Sequence, residues 1–499
     1  MVRGGSARRG LSALVRVGLA AAIGVTATAA LPLAGSATVG VAQALTPPTI
    51  SGPVPSDGPV APSAPTRQTS LCSELVTTKA DHIARPASLQ ALDIDRAWEF
   101  SRGAGQRVAV IDTGVFRHPR LAVVPGGDYV SSGDGTRDCD GHGTQVAGLI
   151  AAKQSADDGF AGVAPDATII AIRQSSANYG PADSRQESSS APVLPEGASQ
   201  GAGDVTTLAR AVVRAVNLGA TVINISVSAC GPAGSDLGDR ALGAAVRFAY
   251  DRNVVVVAAA DNTSSGSGGA CAQNTAAAQG GRDPDPWASV TTKASPAWFT
   301  PYVLSVGAVE DDGVPANFSL AGPWVTVAAP GRDMESLNTA VNPAIIDGRK
   351  TDQGTDPLSG TSFAAPLVSG LAALIRSRFP QLTAGQVINR ITRTAHHPAD
   401  GRDGTVGYGL IDPVAALTTT TPDSLPSGAD PADPRTGDSR NVFAAEPLRP
   451  APASPGPGAV PRYVAIGVAA GAGLLAVLSW TLMRRRTGER RRLREGIDY

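Results

Sequence analysis

The segment Val108-Ala109-Val110-Ile111-Asp112-Thr113-Gly114 decides the fold. Its apolar run shows no alternation with polar residues, so it reads as a strand covered on both faces, the situation of a parallel sheet. Runs of the same kind recur at Thr168–Ile172, Thr221–Val227, Val254–Ala260, Tyr302–Val309 and Val325–Ala329. Between them lie helical patterns at Gly143–Ala152, Val205–Leu218, Arg240–Asp251, Thr361–Phe379 and Thr383–Thr394. In the second of these, Leu208, Val212, Ala215 and Leu218 recur at the spacing of one buried helix face. Strand and helix alternating over about 330 residues predict an α/β fold, a parallel sheet with helices on both faces. Ser175–Gly203, rich in Ser, Gln and Gly, reads as a surface loop.

The whole chain has 499 residues, 42% hydrophobic and 17% charged, long enough for one large core with appendages. Charges balance at −1 overall, but the two ends hold twelve basic residues against three acids, and between 45 and 460 the acids exceed the bases by ten. That excess argues against a phosphate-binding surface, so nucleic acid is not an expected partner.

The ends indicate location. Residues 1–16 carry four arginines and no acid, Val17–Leu33 is nearly all apolar or small, and Ala42-Gln43-Ala44 offers small residues for cleavage. This is the layout of a secretory signal over residues 1–44 or of an uncleaved anchor, with the cut after Ala44 preferred. A second apolar run, Tyr463–Met483, has 21 residues and no charge. At 1.5 Å per residue it reaches roughly 31 Å, enough to cross a bilayer as one helix. Arg484-Arg485-Arg486 and Arg490-Arg491-Arg492 follow it, so the tail, residues 484–499, is expected in the cytoplasm and residues 45–462 outside. Residues 45–88 form a Pro-rich extension, 89–420 the folded domain and 421–462 a flexible Pro-rich stalk.

Cys72, Cys139, Cys230 and Cys271 suit an oxidising compartment and two disulfides. Three pairings are possible. Cys72–Cys139 with Cys230–Cys271 is preferred, because it provides one long-range staple and one local closure.

Three segments place a reactive side chain among small residues: Asp112 at the end of its strand, His142 in Gly141-His142-Gly143-Thr144, and Ser362 in Gly360-Thr361-Ser362-Phe-Ala-Ala-Pro366. Singly they could be a turn residue, a helix-start residue and an N-cap. Together they suit nucleophilic catalysis. A serine hydroxyl needs an imidazole to take its proton as it attacks a carbonyl, and the imidazole needs a buried carboxylate to fix its tautomer. A helix beginning at Ser362 would point backbone N–H groups at developing negative charge.

In these three blocks and their order the chain resembles the subtilisin-like serine proteases over roughly residues 90–417. The resemblance implies an endopeptidase with Asp112, His142 and Ser362 as its triad. It also implies that Asn262, ending Val254-Val-Val-Val-Ala-Ala-Ala-Asp261-Asn262, donates to the oxyanion beside the Ser362 N–H. Asp261 stands where the family usually has glycine, and its carboxyl is expected to point away from the oxyanion. Ser226-Val227-Ser228 resembles the strand that pairs with extended protein or peptide substrates, with Ser228 in a glycine position and narrowing the first specificity pocket. His118, His396 and His397 read as surface residues. No Cys/His cluster has zinc spacing, no acidic loop matches a calcium site of the family, and neither a metal nor a cofactor is expected.

Leader, Pro-rich extension, protease domain, stalk, single membrane helix and Arg-rich tail together resemble the mycosins, the membrane-anchored proteases of type VII secretion systems. The resemblance implies two roles, cleavage of secreted or membrane-complex proteins and a structural part in the secretion membrane complex. It also implies that the extension, too short for an independent core, wraps the domain and stays attached through Cys72–Cys139.

Overall fold

The computed structural model describes residues 45–79, 82–182, 201–263, 271–279, 285–399 and 401–420. At its centre is a seven-stranded sheet. The strand order is Val325–Pro330, Val303–Val309, Val255–Ala259, Val222–Ile225, Arg107–Asp112, Thr168–Arg173, Val123–Asp128, and every neighbouring pair is parallel. The apolar segments read from the sequence supply six of these strands; the edge strand Val123–Asp128 is additional.

Successive side chains of each strand divide between two cores, as the pleat requires. Val108 and Val110 face one core, with Ile169, Val255 and Val257, under the helices His142–Ala151 and Thr361–Arg378. Ala109 and Ile111 face the other, with Ile170, Ile223 and Val256, under Val205–Asn217 and Arg240–Asp251. Ile111 is fully buried, so truncating it to alanine would cost about 2–5 kcal/mol. A capping box at Asp204 and Thr207 starts the Val205 helix, and Thr383 with Gln386 does the same for Ala384–Thr394.

The N-terminal extension has no regular structure from 45 to 65 but touches the domain at several points. Leu45 lies against the cluster of Ala260 and Trp324, while Ile50 and Val60 lie against the Leu208 core. Tyr129 donates its hydroxyl to the Asp57 carbonyl at 2.8 Å. Thr66–Gln68 pairs antiparallel with Tyr179–Pro181, and the Cys72–Cys139 disulfide follows. Leu75–Val76 then pairs with the strand Gly348–Thr351, and Thr78 donates its N–H and hydroxyl to Asp347 at 2.6 and 2.9 Å. Backbone pairing thus ties the extension to two separate parts of the domain.

Two sequence readings need correction. The Ser175–Gly203 stretch is more than a loop: it contains the strand Tyr179–Pro181, and Tyr179 is buried. His118 is not a surface residue but is 2% exposed, whereas His396 and His397 are exposed. The apolar run Tyr463–Met483, the leader and the stalk lie outside the described residues. Among those described, no helix is long and apolar enough to cross a membrane.

Candidate active site

The site forms at the carboxyl ends of the central strands, where an open parallel sheet leaves a crevice. Asp112 is the last residue of its strand and is fully buried. His142 is the first residue of the helix His142–Ala151. Its Nδ1 lies 2.7 Å from Asp112 Oδ1. An ionised carboxylate only accepts hydrogen bonds, so Nδ1 carries the proton and Nε2 is left free to accept one. Thr113 donates its N–H to the same Oδ1 at 2.7 Å, which fixes the carboxylate's rotation. A side chain at Gly143 would begin 2.0 Å from the Gly114 carbonyl, so only glycine lets the His142 helix seat against the Asp112 strand.

Burial lowers the pKa of His142, but the charge and hydrogen bond of Asp112, with the charges of Asp138 and Asp140, outweigh it, and the net direction is upward. The imidazole lies against Phe363, the residue after Ser362, with ring centroids 5.2 Å apart.

Ser362 lies one residue inside the helix Thr361–Arg378, whose cap position is Gly360. At the Gly360 Cβ position a side chain would sit 3.0 Å from Ser362 Oγ, 3.3 Å from Asn262 Nδ2 and 3.7 Å from the Ser362 N–H nitrogen. One hydroxyl and two hydrogen-bond donors therefore border the same small space. Asn262 is oriented there because its Oδ1 accepts the Thr361 N–H at 2.9 Å, which turns the amide nitrogen toward Ser362. Ser226 donates its hydroxyl to the Ser362 carbonyl at 2.8 Å and accepts from Asn224 at 2.9 Å. Asn224 in turn accepts from Ser369 of the Ser362 helix at 2.8 Å. The Ser226 side chain is thus committed inward, while Val227 is half-buried and Ser228 exposed.

Asp261 adopts φ 89°, a left-handed conformation that disfavours non-glycine residues. Its Oδ1 accepts the Asn262 N–H at 2.7 Å, and Oδ2 faces Cys271 Sγ at 4.0 Å. Burial raises its pKa, against hydrogen bonds from the Asn262 N–H and the Ser228 side chain. The second disulfide joins Cys230 and Cys271. Among the described residues, Cys230, Asp261 and Cys271 form a group of metal-ligand types, but both sulfurs are held in that disulfide and offer no thiolate.

Sequence reasoning passed over the carboxylates on either side of Cys139. Asp138 accepts from Thr113, Gly141 and Thr144. Asp140 accepts the Ser176 hydroxyl at 2.5 Å and the Ala177 N–H at 2.7 Å. The signal was their place four and two residues before the imidazole. His82 was also passed over; it joins Lys79 on the buried Glu335 and anchors the extension.

A carboxylate–imidazole pair, a serine at a helix entrance and an amide donor beside it, all on a parallel sheet, define a serine endopeptidase of the subtilisin type. The Subtilase family profile matches residues 103–409, and the chain belongs to that family. Within it the chain groups with the mycosins. It is 49% identical over 401 residues to Mycosin-4 of Mycobacterium tuberculosis, covering 79% of this chain and 82% of that protein. The solved MycP3 protease from the type VII (ESX-3) secretion system superposes with TM-score 0.67 at 44% identity, covering 75% of this chain and all (100%) of that one. A chain of an intact ESX-5 inner membrane complex superposes with TM-score 0.69 at 40% identity, covering 88% of this chain and 100% of its own.

Proposed function

We propose that the protein is a membrane-anchored mycosin that cleaves proteins of a type VII secretion system on the outer side of the plasma membrane. Ser362 is the nucleophile, His142 the general base and then acid, and Asp112 the group that holds the imidazole and stabilises its charged form. Ser362 Oγ attacks the scissile carbonyl as His142 Nε2 takes its proton. The oxyanion is received by Asn262 Nδ2 and the Ser362 N–H. The proton passes to the leaving amine, and water releases the acyl group by the same route. Substrate lies extended along Ser226, Val227 and Ser228, with Ser228 limiting the first pocket. Residues 1–44 are a signal, 45–88 a retained strap, 89–420 the peptidase domain, 421–462 the stalk, 463–483 the anchor and 484–499 a cytoplasmic tail.

The observation that carries this reading is the 2.7 Å bond between His142 Nδ1 and Asp112 Oδ1, with the imidazole lying against Phe363, the neighbour of Ser362. The test is Ser362→Ala, which should abolish peptide hydrolysis and leave the fold unchanged; hydrolysis persisting in the variant would reject it.

A second reading is favoured by the likeness to a chain of the ESX-5 inner membrane complex. In it the domain acts mainly as a structural subunit of a secretion complex. Ser362→Ala in the native host separates the two: lost cleavage with preserved secretion assigns the essential role to scaffolding, and lost secretion assigns it to proteolysis.

A further inference from the structure

One carboxylate that the mechanism does not use lies beside the Asp112–His142 pair. Asp138 Oδ1 accepts the Thr113 hydroxyl at 2.9 Å and the Gly141 N–H at 2.8 Å. Its Oδ2 accepts the Thr144 N–H at 2.8 Å and the Thr144 hydroxyl at 2.6 Å. Each hydroxyl is itself held by a backbone donor: the Gly143 N–H reaches Thr113 Oγ1 at 2.9 Å, and the Phe116 N–H reaches Thr144 Oγ1 at 2.9 Å. A hydroxyl has one proton, so both are oriented as donors toward Asp138. Four donors meeting two oxygens suit a group with acceptors only, the ionised carboxylate, which is the form of Asp138 above a pKa that burial pushes up to about 6 against the hydrogen bonds from Thr144 and Thr113.

We infer that Asp138 is a positioning residue for His142. It clamps the residues on both sides of the imidazole, Gly141 and Thr144, to Thr113, the neighbour of Asp112. The strand that ends in Asp112 and the helix that begins with His142 share no backbone ladder, and this clamp joins them at the point where the ion pair forms. The inference rests on reading His142 as the base. The charged groups around the imidazole are Asp112, Asp138 and Asp140, and Asp140 is occupied by Ser176 and Ala177. Removing the Asp138 charge therefore loosens the geometry and also takes away one of the charges that raise the His142 pKa.

The test is Asp138→Asn, which keeps shape but sets an N–H against donors. Its kcat should fall about ten- to a hundredfold with KM little changed, as for a catalytic group displaced from its position. The acid limb of its kcat/KM profile should move to lower pH. Thr113→Ser and Thr113→Val test the clamp independently should Asp138→Asn fail to fold: serine keeps the relay and should keep kcat, whereas valine should lower it. An Asp138→Asn enzyme with wild-type kcat and an unmoved acid limb, or Thr113→Val equal to Thr113→Ser, overturns the inference. Fluorophosphonate labelling separates this failure from that of the underlying reading. A wild type that does not label overturns both, whereas a wild type that labels, with Asp138→Asn labelling at the same rate and pH dependence, overturns the positioning role alone.

Discussion

Thr361 donates both its N–H and its hydroxyl to Asn262 Oδ1, at 2.9 and 3.2 Å. The pair settles which end of the Asn262 amide faces Ser362, because an oxygen taking two hydrogen bonds leaves only the nitrogen to turn inward. A donor held this way before substrate arrives needs no reorganisation when charge develops on the carbonyl oxygen. Asn262→Ala should accordingly lower kcat about 10²–10³-fold with a small change in KM. Steady-state kinetics on a peptide substrate decide it, and a loss confined to KM would remove Asn262 from the transition state.

The acid limb of activity follows from His142. Its pKa is raised: burial pulls it down, but Asp112, Asp138 and Asp140 more than compensate. Imidazolium cannot take the Ser362 proton, so kcat/KM should decline as pH falls through a value above the ordinary imidazole pKa of about 6.5. A profile flat between about pH 5 and 8 contradicts His142 as the base.

The Cys72–Cys139 disulfide spans 67 residues and fastens the extension three residues before His142. Cys72→Ser should destabilise the domain by about 2–5 kcal/mol, read as a lower thermal midpoint under non-reducing conditions. It should also admit limited proteolysis near Leu71, which is 89% exposed. A midpoint equal to wild type would mean that the strand pairing at Thr66–Gln68 and Leu75–Val76 holds the extension without the staple.

Asp261 offers a stabilising change. Glycine at φ 89° relieves a backbone cost of about 1 kcal/mol. The carboxyl adds a pH-dependent part. Burial raises its folded pKa above 3.8, so the fold holds the proton more tightly than the unfolded chain does. The resulting destabilisation is absent below about pH 4 and complete once pH exceeds the folded value. Asp261→Gly should therefore raise the thermal midpoint more at pH 7 than at pH 4. An equal gain at both would assign the effect to the backbone alone.

Much of this was legible in the sequence. The strands around Ile111, Ile170 and Val256 are buried on both faces, so composition alone marked them, and the small residues flanking His142 and Ser362 marked the places where chain segments approach closely. The edge strand Val123–Asp128 was hidden because Pro125, Gly126 and Gly127 carry turn chemistry, and its ladder breaks register between Pro125 and Gly127. Asp138 and Asp140 were hidden for another reason: acids near a cysteine in a polar loop have an ordinary surface reading, and only folding gathers hydrogen-bond donors around them. The pairing of Leu75–Val76 with Gly348–Thr351 joins segments more than two hundred residues apart, beyond any local pattern. The retained polarity of 45–65 conceals that Ile50 and Val60 reach a core.

Covalent labelling with a serine-directed fluorophosphonate, followed by peptide mapping, tests the central claim most directly. The account predicts one adduct on Ser362, absent in Ser362→Ala and formed far more slowly in His142→Ala. Labelling of another residue, or a Ser362 adduct formed at the wild-type rate without His142, would contradict it.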